Sequence, residues 1–228
     1  MKRFSTSKDN YWMHEPVVLA RLEKHASAAI PEVRKLFRGR HAQTKLYAAG
    51  VLACIDPESR TAAFKVLAPA LQEPDKSDLD INFLTILGPE ATPLVGDLVK
   101  LLNREWRIGN PVDDFQIFNL FTQIGAKAKP AIPQLTTLAR YTYAEREAEE
   151  AFLAIGPVAL DALIKSLKVE TASPRIVHAI ARFGSKAEKA IPVLIAAVSE
   201  TDSQTRISVA DALGTIHSLS ASGRSTNC

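Results

Sequence analysis

His14-Glu15 is the only place in this 228-residue chain where an imidazole and a carboxylate, both metal-ligating types, stand side by side. The other histidines, His25, His41, His178 and His217, are scattered, and no two of the five fall at metal-ligand spacing. Glu15 precedes Pro16 and reads as a cap at a helix start. No glycine-rich phosphate loop and no G-x-S-x-G nucleophile elbow occurs. Cys54, beside Leu52 and Ile55, reads as a small buried apolar residue. Cys228 closes a polar Ser/Gly tail and is not at the position of a prenylation box. Two cysteines cannot form a disulfide framework, so a reduced, cytoplasmic compartment is the default. No catalytic residue, metal site or cofactor is assigned, and the chain reads as a non-enzyme.

The residues that point to chemistry are those that bind. Lys65 and Lys165 share one place, and Lys100 and Lys168 another three residues on, in repeating segments of the chain. A longer interval carries Asn103-Arg-Glu-Trp-Arg-Ile-Gly-Asn-Pro-Val-Asp-Asp114, in which Arg104 and Arg107 flank Trp106. That composition is typical of an interface anchor. Trp106 folding back over a wider gap between segments is the equal alternative. Tyr141 and Tyr143 are the aromatic residues nearest the lysines.

What positions these side chains is an internal repeat. The pairs Leu87-Gly88, Ile124-Gly125, Ile155-Gly156, Phe183-Gly184 and Leu213-Gly214 recur, and Leu22-Glu23 and Ile55-Asp56 fit with glycine replaced. Intervals between second members are 33, 32, 37, 31, 28 and 30 residues, a solenoid period. Alanine stands three residues after this anchor in five of the first six copies, the exception being Ser59. Alanine or leucine stands six after it in all six. Apolar residues fall one, four, five and usually seven places before the anchor, which is helix periodicity rather than strand alternation. Each unit is predicted to be helix, glycine turn, helix, with Pro31, Pro133 and Pro192 near the start of the second helix. The expected pairs span roughly 16–39, 42–72, 78–103, 112–141, 144–169 and 173–200, with a lone closing helix near 203–219. Residues 1–15 are expected to be an N-terminal extension, 16–219 a single solenoid domain, and 220–228 a disordered tail.

Composition agrees with a soluble helical protein: 46% hydrophobic, 23% charged, net charge +3. No apolar run is long enough to span a membrane, so no membrane partner is expected. The charge is unevenly divided. The second helices with their turns hold 15 lysines and arginines against 7 acidic residues, and the rest of the chain holds 13 against 18. Two readings of the lysines stand, a broken basic ridge that steers an anionic partner and an ordinary solvated helix face.

Leu87-Gly-Pro-Glu-Ala-Thr-Pro-Leu94 and Ile124-Gly-Ala-Lys-Ala-Lys-Pro-Ala-Ile-Pro133 resemble HEAT repeats, of the short kind first described in phycobilisome lyases. The resemblance covers about residues 16–216. It implies an all-α, armadillo-like fold, a right-handed α-α superhelical solenoid of about six HEAT-like helix pairs, with the second helix of each pair on the concave, partner-binding side. HEAT-like di-iron hydroxylases hold two metals with repeated His-Glu pairs, whereas His14-Glu15 occurs once. HEAT-like DNA glycosylases use aromatic and acidic groove residues, and Trp106 with Asp113 or Asp114 matches no motif of theirs.

The expectation is a protein-binding scaffold that takes a partner, such as an acidic segment, on its concave face through Lys65, Lys100, Arg104, Trp106, Tyr141, Lys165 and Lys168. A second reading is a lyase-like or chaperone-like subunit clamping a client. A third is nucleic-acid binding along the basic ridge. Arg21 and Lys24 are expected to point outward as a polar cap on the first helix. Ile207, Leu213 and Ile216 are expected to leave the C-terminal end open, a surface for self-association.

Overall fold

At three of the five hydrophobic-glycine pairs the chain makes the same local turn. Gly88, Gly125 and Gly184 have φ of 59°, 62° and 59°, a left-handed conformation that glycine adopts without the clash a Cβ would bring. From each of these glycines a 3-10 segment of seven residues leads directly into the second helix. The alanine three residues on (Ala91, Ala128, Ala187) is fully buried, which explains the small side chain there. The proline expected at the second-helix start is found in its first turn at Pro31 and Pro133, and Pro192 is the second residue of its helix.

The protein is described by a computed structural model, which covers residues 20–21, 23–72, 81–103, 111–141, 144–169, 172–198 and 203–225. Among these residues every regular element is helical and there is no strand. The α-helices are α1 Ile30–Phe37, α2 Ala42–Ile55, α3 Arg60–Gln72, α4 Asn82–Leu87, α5 Val95–Asn103, α6 Pro111–Ile124, α7 Ile132–Ala139, α8 Glu145–Ile155, α9 Pro157–Val169, α10 Pro174–Ala181, α11 Ile191–Val198 and α12 Ser203–Ser225. The expected helix boundaries are met within a few residues. The turns at Asp56 and Gly156 lack the 3-10 segment, and α9 starts at Pro157 immediately after its glycine. The expected first helix from Pro16, including Lys24's side chain, lies largely outside the described residues, as do Arg104, Trp106, Tyr143, His14 and Cys228.

The chain divides into two compact units, residues 1–87 and 88–228. In the first, α2 packs against α1, α3 and α4, and its core includes Val33, Val51, Leu52, Ile55 and Phe83. In the second, the helices form two rows. First helices pack in sequence, α6 on α8, α8 on α10 and α10 on α12; second helices do likewise, α5 on α7, α7 on α9 and α9 on α11. The residues four before the anchor (Phe121, Phe152, Ile180) and five before it (Leu120, Ala151, Ala179) are buried where the rows meet.

Two expectations about the last copy are corrected. Gly214 lies inside α12, as the closing helix expected over 203–219 requires, but α12 continues to Ser225, so residues 220–225 are helical rather than a disordered tail. Ile216 is fully buried, because α12 turns the face carrying Val209, Ala212 and Ile216 onto α10 and α11.

Candidate functional interface

Lys65 lies exposed on α3 in the first unit. In the second unit Lys100 lies exposed on α5, its ammonium 3.3 Å from Asp97, and Lys165 lies exposed on α9. Lys168 also belongs to α9; its side chain lies outside the described residues. Between α5 and α9 stands α7, which presents Gln134 and Thr137 at the matching positions. Helix axes pack about 8–10 Å apart, so two spacings separate the lysine-bearing helices. The second unit therefore places Lys100 and Lys165 as separate points, not one cluster. Tyr141 follows α7, is 61% exposed and donates its N–H to the Leu138 carbonyl at 3.0 Å.

Cross-pair polar contacts hold this region in place. The Arg175 guanidinium lies 2.8 Å from Glu145 and donates to the Arg140 carbonyl at 3.3 Å. Lys189 of the last 3-10 segment pairs with Asp161 of α9. Arg182, which caps the C-terminus of α10, lies 3.2 Å from Glu149 of α8. Glu149 stands seven before its anchor, where the copies at Phe118 and Val177 are fully buried. Burial pushes its carboxyl above the usual carboxylate range, against the opposing pull of Arg182 and His178.

The first unit carries a polar device that sequence spacing did not reveal. Asp56, standing where other copies have glycine, has φ −133° and is buried. Its carboxylate accepts from Arg34 Nε at 2.8 Å and from the terminal guanidinium nitrogen at 3.0 Å. Arg34 also reaches Glu58 and the Ser59 hydroxyl, at 3.0 and 3.2 Å. Burial raises the Asp56 pKa, but hydrogen bonds from Arg34 and Ser59 outweigh it, and the net shift is downward. Sequence reasoning also missed the positive charge gathered between α1 and α2, because lysines were sought at fixed repeat offsets rather than by local density. Cys54 is half-buried, its thiol 3.4 Å from the Phe83 carbonyl.

The surface has an apolar part, and it is confined to the second unit among the described residues. Ile195 on α11 is 56% exposed and Ile207 on α12 is 57% exposed. Their counterparts in earlier copies, Leu167 for Ile195 and Phe118 and Val177 for Ile207, are buried by the pair that follows. Leu213 is half-buried. The end of the helix rows is thus apolar and uncovered by any described residue. No group of three or more His, Cys, Asp or Glu arranged to hold a metal occurs among the described residues, and no described helix is long and apolar enough to cross a membrane. No family model, curated protein or solved structure matches the chain.

Proposed function

We propose that the chain is a non-catalytic binding module, a right-handed solenoid of about six HEAT-like helix pairs that docks an acidic protein segment on its second-helix face. The observation that carries this reading is a division of labour shared by the second helices α3, α5 and α9. One side is locked into the core by Leu67, Leu98 and Leu163, while the other leaves Lys65, Lys100 and Lys165 exposed. Within the second unit, two helical rows joined by short turns supply the frame, so a bound segment loses entropy but the protein loses little. Spaced cations favour encounter and selectivity, and Tyr141 supplies an amphipathic contact.

The test is capture from nuclease-treated lysate, with the native chain compared against Lys65→Glu, Lys100→Glu, Lys165→Glu and Lys168→Glu combined. A protein retained by the native chain and lost by the variant, with unchanged helical circular dichroism, is the expected outcome. Recovery of the same proteins by both would overturn the second-helix face as the docking surface.

A further inference from the structure

Residues 34–45, Arg-Lys-Leu-Phe-Arg-Gly-Arg-His-Ala-Gln-Thr-Lys, hold five lysines and arginines and no aspartate or glutamate. That local charge of +5 exceeds the +3 of the entire chain. Part of it is neutralised: Arg34 by Asp56 and Glu58, Lys35 by Glu32 at 2.9 Å. Arg38 and Arg40 are exposed, and their guanidinium groups have no ion pair or hydrogen bond among the described residues. The Lys45 ammonium is held 5.8 Å from the centre of the Phe37 ring and has no carboxylate partner there either. Exposed His41 adds a hydrogen-bonding ring. Its Nδ1 accepts the Thr44 backbone N–H at 3.3 Å, which requires Nε2 to carry the ring proton.

Among the described residues the same corner offers no apolar anchor. Leu36, Phe37 and Tyr47 pack against the core of the first unit, and the exposed large apolar side chains among the described residues all lie at position 115 or beyond. A peptide held here would have charge to pair with but no pocket for a side chain, and peptide interfaces draw most of their energy from such pockets. Phosphodiester oxygens need no pocket. Guanidinium forks bind them bidentately, and released counterions supply the free energy. Single strands are usually gripped by stacking on exposed aromatic rings, and among the described residues none lies at this corner.

We infer that the corner formed by Arg38, Arg40, His41 and Lys45 docks the backbone of duplex nucleic acid without reading its sequence. It lies on a different unit from Lys100 and Lys165 and on the same unit as Lys65, and it rests on none of these three lysines.

The experiment is fluorescence anisotropy with a labelled 20-base-pair DNA duplex, titrated between 50 and 200 mM salt. With about three phosphates neutralised at about 0.9 per contact, the native chain should weaken roughly 15- to 60-fold across that range. Arg38→Gln with Arg40→Gln should lose at least about tenfold in affinity at 50 mM and most of the salt slope. Arg38→Lys with Arg40→Lys should keep the slope, and Lys127→Gln, exposed on the other unit, should leave both unchanged. Equal binding by the native and Gln-substituted chains overturns the assignment. So does an absence of duplex binding by the native chain, or selective binding of a polyglutamate peptide in place of the duplex.

Discussion

Arg34 and Asp56, 22 residues apart in the chain, meet through two hydrogen bonds of 2.8 and 3.0 Å and join the second helix of the first repeat to the turn of the next. The carboxylate side chain is 5% exposed and the guanidinium 36%. Removing Arg34 leaves a buried carboxylate with Ser59 as its remaining side-chain donor, whereas removing Asp56 leaves an arginine that Glu58 and water can satisfy. Arg34→Ala is therefore expected to destabilise the fold more than Asp56→Ala does, because it strands a buried carboxylate. Urea denaturation of both single variants and the double variant measures the coupling. A coupling energy near zero would reduce the pair to a bystander.

Two glycines in the same sequence motif should respond oppositely to alanine. At Gly125, φ is 62°, so Gly125→Ala forces a left-handed alanine at a cost of about 1–2 kcal/mol. Gly214 lies within α12 with open space where a Cβ would be, so Gly214→Ala should stabilise by about 0.5–1 kcal/mol. Thermal denaturation of both variants decides it. Equal destabilisation would mean that Gly214 also ends a helix.

Acidification should act through two carboxylates with opposite signs. Glu149 has a folded pKa raised by burial, so its contribution to stability grows as pH falls towards and below its ordinary value of 4.5. Asp56 has a folded pKa lowered below 3.8, so its contribution is complete above that value and is lost as pH falls through the folded one. Glu149→Gln should accordingly flatten the stability profile between neutral pH and pH near 4.5, and Asp56→Asn should flatten it below pH near 4. Chemical denaturation at half-unit pH intervals tests both. A Glu149→Gln profile parallel to that of the native chain would contradict the burial argument.

Equivalent repeat positions should differ in cost with their surroundings. Phe118 and Ile207 both stand seven residues before an anchor, but Phe118 is fully buried and Ile207 is 57% exposed. Phe118→Ala is expected to cost about 3–5 kcal/mol, and Ile207→Ala to stay within about 0.5 kcal/mol. A large loss at Ile207 would show that α12's outer face is covered after all.

Much of the repeat register was legible from residue order alone. A helix ends where a glycine takes positive φ, an apolar face needs a 3.6-residue period, and a small residue marks a close approach. These are local demands, written within about fifteen residues of Gly88, Gly125, Gly156 and Gly184. The exposed lysines were legible for the same reason, since Lys65, Lys100 and Lys165 fall opposite buried leucines of their own helices.

What residue order could not decide depends on partners far along the chain. Glycine gives way to Asp56 because Arg34, brought alongside by the packing of α1 on α2, supplies a charge to meet it. Gly214 reads like the other anchors, yet with no second helix following in the described structure, α12 continues as helix through it. A hydrophobic-glycine pair specifies where a chain is able to turn. Whether it turns is a tertiary matter, since the left-handed glycine is stabilised by burying the helix that follows. The sequence by itself thus determined the helices and their buried faces. Only the folded chain decided which charges are neutralised, as at Arg34 and Lys35, and which stay open to a partner, as at Arg38 and Arg40.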